Sequence, residues 1–271
     1  MIFGSLTLTI KNVLAADITC PNAGSSPPYV VCNGTPENDN MQGSSKPDNI
    51  TGLAGNDQMM GGQKDDEFKV CVACSIPPDS FSGGEGNDTI LGAAGDDDMS
   101  GDTGSDKMNG KSGDDKIYGG EGNDTVIGEN GDDEVSGHDG DDVMSGGTGD
   151  DDMSGGQGND TAISDSGEDK ITGGAGYDYL NGQDGEDDIS GEQDNDTIIG
   201  EDNEDKITGG EGGDKLSGGN GDDRISHWES EDITSDGSKD TISCGSGDDE
   251  AWINTSLDGD TAEACEEIHT G

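Results

Sequence analysis

From Gly83 to Ser226 an apolar residue returns at every ninth position with no insertion or deletion: Ile90, Met99, Met108, Ile117, Val126, Val135, Met144, Met153, Ala162, Ile171, Leu180, Ile189, Ile198, Ile207, Leu216 and Ile225. Two places before each stands an aspartate, and glycine recurs at the first place of a block, the fourth, and often the second. A fixed short period of this kind is the signature of a solenoid, in which each repeat buries its apolar residue only by stacking on its neighbours. The glycines predict sharp turns with positive φ over the first six places of a block. The last three predict a very short strand whose eighth residue alone points inward, since neighbours along a strand face opposite ways. The expected core is a thin column of Ile, Val, Leu and Met.

The same phase extends outward. Asp39/Met41, Asp48/Ile50, Asp57/Met59 and Asp66/Phe68 precede the regular run, and a four-residue slip at Val70 to Ala73 leads to a degenerate block with Asp79 and Phe81. After Ser226 the register stumbles between Trp228 and Thr234, then recovers weakly at Asp240/Ile242 and Asp249/Ala251.

Composition makes this pattern hard to fold unaided. The 271 residues carry 63 acidic against 12 basic side chains, a formal net charge of -51, and only 26% hydrophobic residues. Such a chain cannot bury enough apolar surface to offset its backbone entropy. The acidity is spread along its whole length, so a cation bound at many sites would neutralise it where a polycation at one end would not. Nucleic acid is excluded as a natural partner by repulsion from the phosphates.

The blocks GGEGNDTIL at 83–91 and GGEGNDTVI at 119–127 resemble the G-G-x-G-x-D-x-U-x repeat of the RTX (hemolysin-type) calcium-binding family, over about residues 34–252. The resemblance implies an all-β fold, a parallel β-roll or β-solenoid with two nonapeptides per coil and two short-stranded parallel sheets, and Ca2+ as cofactor. Two blocks make an eighteen-residue coil, so sixth-place aspartates stack along each edge at the strand spacing of about 4.8 Å. An ion between successive coils reaches both carboxylates at calcium–oxygen distances of about 2.3–2.6 Å, with glycine-turn carbonyls completing the set.

The candidate ligands are Asp39, Asp48, Asp57, Asp66, Asp88, Asp97, Asp106, Asp115, Asp124, Asp133, Asp142, Asp151, Asp160, Asp169, Asp178, Asp187, Asp196, Asp205, Asp214 and Asp223. They predict on the order of twenty ions, enough to offset most of the net charge. Without them, stacked carboxylates about 5 Å apart repel by roughly 1 kcal/mol per pair in water and several times more in the protein. Where Asp194 and Asn203 replace the fourth-place glycine, both are residue types that tolerate the left-handed region, and the turn is expected to survive.

Six cysteines fall into three close pairs, Cys20 and Cys32, Cys71 and Cys74, Cys244 and Cys265. An even count in a chain expected to be secreted reads as disulfides. For Cys71 and Cys74 a small loop staple is favoured over a redox dithiol or half a zinc site, since no βαβ pattern and no second ligand pair accompanies them. The ending DTISCGSGDDEAW followed by DGDTAEACEE resembles a C-terminal cap of such rolls, which implies a bridge between Cys244 and Cys265.

A second period of thirty-six residues places Thr89, Thr125, Thr161 and Thr197, with Leu91, Ile127, Ile163 and Ile199, in outward rows on one sheet. The seventh and ninth places of that sheet hold no carboxylate, whereas the other sheet carries Asp98, Lys116, Glu134, Asp152, Lys170, Asp188, Lys206 and Arg224 at the seventh. Tandem duplication of a thirty-six-residue unit would copy such rows without purpose. Selection for a flat association face, gripping a second roll or another surface, would also keep them.

No catalytic constellation stands out. Asp102-Thr103-Gly104 lies in a repeat turn without a second copy, His138, His227 and His269 are isolated, and there is neither an H-E-x-x-H helix nor a G-x-S-x-G elbow. The chain is expected not to be an enzyme.

The expected organisation is a secretory leader over 1–16, an N-terminal cap over 17–33, irregular repeats over 34–82, the regular roll over 83–226, and degenerate repeats with a cap over 227–271. The leader's apolar stretch, interrupted by Lys11, ends in small residues suited to cleavage after Ala15 or Ala16. No run is long enough to span a membrane. The functional expectation is an extracellular, secreted or surface calcium-binding element with a structural or matrix role. The alternatives are a secretion and folding module of a larger RTX-type enzyme or toxin, and a simple calcium buffer.

Overall fold

A computed structural model describes residues 16–19, 30–34, 39–43, 48–51, 57–69, 78–227, 239–253 and 260–270. Among them every regular element is a β-strand. Strands alternate strictly between two sheets, one of 14 strands and one of 13, and each pairs in parallel with the strands two before and two after it in sequence. One coil therefore contributes one strand to each sheet, as in the pairing Lys107↔Thr125, Met108↔Val126, Asn109↔Ile127. The offset of eighteen residues is the predicted two-block coil, and the chain is a parallel β-solenoid. It lengthens to 22 residues between Asp66 and Asp88, where the four-residue slip falls, and to 26 between Asp214 and Asp240.

The strands are longer than the pattern suggests. Thr125–Asn130 is typical: six residues, the last three places of one block and the first three of the next, with alternating burial. Two places face inward, the eighth and the following first. The first place carries glycine, so it contributes no side chain, and this is why apolar periodicity reveals only one inward residue in nine. The eighth-place residues form one continuous core from Met41 through Ile117, Val126 and Leu180 to Ile242 and Ala251. Phe68 and Phe81 meet edge to face at a centroid distance of 6.3 Å near its beginning.

Through the regular blocks of 83–226 positive φ falls at the second and fourth places, as at Gly120 (114°) and Gly122 (126°), and not at the first. The second place often strains a side chain into this region, at Lys111, Glu129, His138 and Glu201 among others. Asp194 (73°) and Asn203 (84°) hold the fourth-place turn as expected. First-place glycine is needed for a different reason. A Cβ on Gly128 would collide with Asp133 Oδ2 of its own block and approach the Gly146 carbonyl oxygen of the next coil to 2.6 Å.

Cys244 and Cys265 are bridged, with Cα atoms 5.1 Å apart. Cys20, Cys71, Cys74 and residues 1–15 of the leader expected over 1–16 lie outside the described residues, as does the side chain of Cys32 in the strand Val30–Asn33. No helix among the described residues is long and apolar enough to cross a membrane.

Candidate metal centre

The turn over the fourth to sixth places of each block brings the sixth-place aspartate back over the glycine at that block's first place. The side chain folds inward because nothing stands in that glycine's way. Asp133 is 2% exposed, and its fellows along the roll are buried in the same manner. From Asp39 to Asp240 the described coils repeat one bond: the backbone N–H of a sixth-place aspartate donates to Oδ1 of the aspartate one coil on, as in Asp115 to Asp133 (2.8 Å), Asp133 to Asp151 (2.8 Å) and Asp124 to Asp142 (2.7 Å).

These bonds form two continuous columns, one per edge. The first passes through Asp97, Asp115, Asp133, Asp151, Asp169, Asp187 and Asp205 to Asp223, and the second through Asp88, Asp106, Asp124, Asp142, Asp160, Asp178 and Asp196 to Asp214. Asp39, Asp57 and Asp79 lead into the first, and Asp48 and Asp66 into the second. Both continue past the regular blocks, to Asp249 and Glu266 on one edge and to Asp240 and Asp260 on the other.

The second carboxylate oxygen is different. Oδ2 is buried without a hydrogen-bond partner at Asp66, at each sixth-place aspartate from Asp88 to Asp160, and at Asp178, Asp187, Asp196 and Asp205. A buried anionic oxygen without a partner is among the costliest groups a fold can hold. The carboxyls respond accordingly. Burial, partly offset by the backbone N–H bond and reinforced by neighbouring carboxylates, raises Asp97, Asp106, Asp115, Asp151 and Asp160 to about 7, and Asp196 and Asp205 to about 8. Repeated orphan oxygens beside backbone carbonyls are the donor set of a hard divalent cation, which takes six to eight oxygens. The residues fit calcium: the sixth-place aspartates would hold it through Oδ2, and the ion would supply the positive charge that the columns lack.

A further ladder escaped the sequence reading. The fifth-place residue, exposed and one step from the buried aspartate, accepts from the N–H of its counterpart one coil on, as in Asp114 to Asp96 (3.1 Å), Asp132 to Asp114 (3.0 Å) and Asn159 to Asp141 (2.8 Å). Its polarity is opposite to that of the buried columns. The frequent Asn or Asp at the fifth place, as at Asn87, Asp114 and Asn123, was the available signal. Asp260 was also missed, although Ala262 two places later repeats the Asp-x-apolar spacing.

The outward faces differ from each other as expected, with one correction. On the first sheet, charges of opposite sign at the seventh place pair across strands: Lys170 with Asp152 (3.0 Å) and Lys206 with Asp188 (2.8 Å). On the second, Thr89, Thr125, Thr161 and Thr197 face outward, but Ile127, Ile163 and Ile199 alternate with Ser145 and Asn181 on the intervening strands. Because the six-residue strands extend to the third place, Glu129, Asp165 and Glu201 share this sheet, and Glu129 pairs with Lys111. The apolar rows are therefore interrupted and bordered by carboxylates.

No curated protein matches the chain. The family described as RTX calcium-binding nonapeptide repeat (4 copies) matches residues 33–67, 78–108, 100–135, 127–162, 163–198, 190–225 and 199–233. Those segments take in most of the sequence and cover the columns from Asp39 to Asp223, and the chain belongs to the RTX calcium-binding repeat family.

Proposed function

We propose that the chain is a non-enzymatic structural element, secreted or held at the cell surface, that folds when calcium fills its aspartate columns. The observation that carries this reading is the run of buried, partnerless Oδ2 atoms: a fold that leaves them so is costly until a cation arrives. On the order of twenty ions would match the number of blocks. Secretion is supported by the Cys244–Cys265 bridge, since disulfides persist in oxidising compartments. Extracellular calcium would then act as the folding signal. Circular dichroism during calcium titration, reversed by chelator, tests the reading: a cooperative gain of β-signal is expected, and an unchanged spectrum after thorough chelation at pH 8 would overturn it.

The structural role is assigned to the second sheet, where Val143 (51% exposed) and Tyr179 (37% exposed) stand in the same column as Thr161 and Thr197. Exposed apolar groups on so polar a chain favour contact with another surface, with a second copy as the simplest partner. Ile127→Asp with Ile163→Asp should weaken self-association in ultracentrifugation while leaving the calcium response intact. Identical sedimentation of the double variant and the parent, at concentrations where the parent associates, would remove the assignment; a parent that stays monomeric would favour the buffer role.

A further inference from the structure

At the C-terminal end of the roll the first place of the block, glycine almost everywhere else, holds a histidine. His227 directly follows the strand Arg224–Ser226, and Gly210 N–H donates to its carbonyl (2.9 Å), the same bond that Ala93 N–H makes to the first-place Gly110. Its side chain is 1% exposed, so an imidazole enters the space that glycine leaves elsewhere. That space lies at the end of the second column, whose last two carboxylates are Asp240 and Asp260. All three residues are buried, and one ligand atom from each lies within 4.8 Å of the others.

The tautomer follows from the neighbours. Nδ1 of His227 is 3.1 Å from the Trp252 carbonyl oxygen, which can only accept, so Nδ1 carries the hydrogen. Nε2 is then buried with no partner, either a lone pair or an N–H with nothing to bond. An ion pair does not account for this, because the nearest approach of Nδ1 to Asp260 is 4.0 Å and that nitrogen is already engaged. An imidazole oriented through one nitrogen by a backbone carbonyl, with carboxylates beside it, is the arrangement by which proteins hold a metal ligand in place.

We infer that His227, Asp240 and Asp260 form a separate site for a first-row divalent cation such as zinc. Calcium prefers an all-oxygen shell, whereas one imidazole and two carboxylates suit a borderline ion and leave a position for water. Zinc would draw the ligands inward by about 1 Å, given bonds of about 2.0–2.2 Å. Bound there, it would tie the strand Arg224–Ser226 to the two final coils alongside the Cys244–Cys265 bridge.

The test is zinc binding by calorimetry to the full chain in saturating calcium, which occupies the oxygen-only sites. One zinc per chain is expected, weakened at least tenfold by His227→Gly, which restores the residue usual at that place. Equal zinc affinity in parent and variant, or no stoichiometric uptake by the parent, overturns the inference. Should His227→Gly fail to fold, zinc-edge X-ray absorption on the parent decides: one nitrogen among oxygens supports the site, and an oxygen-only shell refutes it. Calcium-induced circular dichroism on the same samples separates this result from failure of the calcium reading, since zinc uptake can vanish while the calcium response stays whole.

Discussion

The middle of the roll and its C-terminal end share strands, register and aspartate columns, yet treat the first place of the block in opposite ways. From Gly83 to Gly218 that place is glycine except at Ser164, and sixth-place carboxylates such as Asp115, Asp133 and Asp205 fold over it with Oδ2 unpartnered. At the end it is His227, Cys244 and Ile253, all buried. There the space is filled from within, by an imidazole, a disulfide sulfur and an aliphatic chain. The middle is built to receive charge from solution. The end closes the roll with its own side chains, and the difference lies in one residue per block.

The largest expected consequence concerns acid. In the middle, burial raises the sixth-place carboxyls, for example Asp133 to about 6, Asp115 to about 7 and Asp205 to about 8, against 3.8 when unfolded. Between those values the metal-free fold binds more protons than the unfolded chain, so its stability falls as pH rises through about 6 to 8 and is greatest below about 4. Protons thus replace calcium. Chelated protein should regain β-signal on acidification from pH 8 to pH 5, and calcium affinity should weaken over the same interval. If circular dichroism finds the chelated chain equally unfolded at both pH values, the middle does not hold buried carboxylates.

Next in size is the contrast between neighbours in one turn. Asp133 is buried in the column, while Asp132 lies in the exposed fifth-place ladder between Asp114 and Asp150. In saturating calcium, Asp133→Asn should lose about 3 kcal/mol in urea unfolding, as removal of one partner from a buried charged site does. Asp132→Asn should lose less than about 1 kcal/mol. In chelator at pH 5 the sign for Asp133→Asn should reverse, because the substitution removes a buried carboxyl that must otherwise be protonated. Losses of equal size would mean that net charge matters and position does not.

Making the middle resemble the end should cost somewhat less. Gly128→Ala inserts a methyl against Asp133 Oδ2 and the Gly146 carbonyl oxygen. Overpacking of this kind costs about 2 kcal/mol, and it should raise the calcium concentration at the folding midpoint. A variant that folds at the parent's calcium concentration would show that the carboxylate does not need that space.

The coil length, the core and the candidate columns were legible because each depends on a residue type that recurs alone: Ile117 or Val126 at the eighth place, Asp115 or Asp124 at the sixth. The true strand length was not, because the second inward place is glycine and leaves no hydrophobic mark. The same silence hid the role of first-place glycine, which reads as a turn residue until Asp133 is seen lying against Gly128. Asp240 and Asp249 were visible as weak repeats, but the 26-residue offset at that end obscured which coil each joined. Nothing in the spacing of three scattered histidines could bring His227 to Asp240 and Asp260; only the column's continuation does so.

The smallest effect is expected where the middle departs from its own rule. Ser164 is completely buried at a first place, and its single hydroxyl hydrogen is shared between two acceptors, the Gly182 carbonyl oxygen at 2.7 Å and the Asp169 carboxyl. It also lies beside Asp169, whose carboxyl burial raises while the Asp151 N–H and then this hydroxyl pull it down. One coil therefore carries part of its compensation internally, a local copy of what the end does with larger groups. Ser164→Gly should make that coil like its neighbours, lowering metal-free stability at pH 5 by about 1 kcal/mol, the worth of one hydrogen bond, and leaving calcium-loaded stability nearly unchanged. Ser164→Ala keeps the Cβ but not the donor, so it should lose stability in both states. If both variants lose equally with calcium bound, the hydroxyl serves packing alone, and the graded series from open glycine through serine to histidine has no electrostatic meaning.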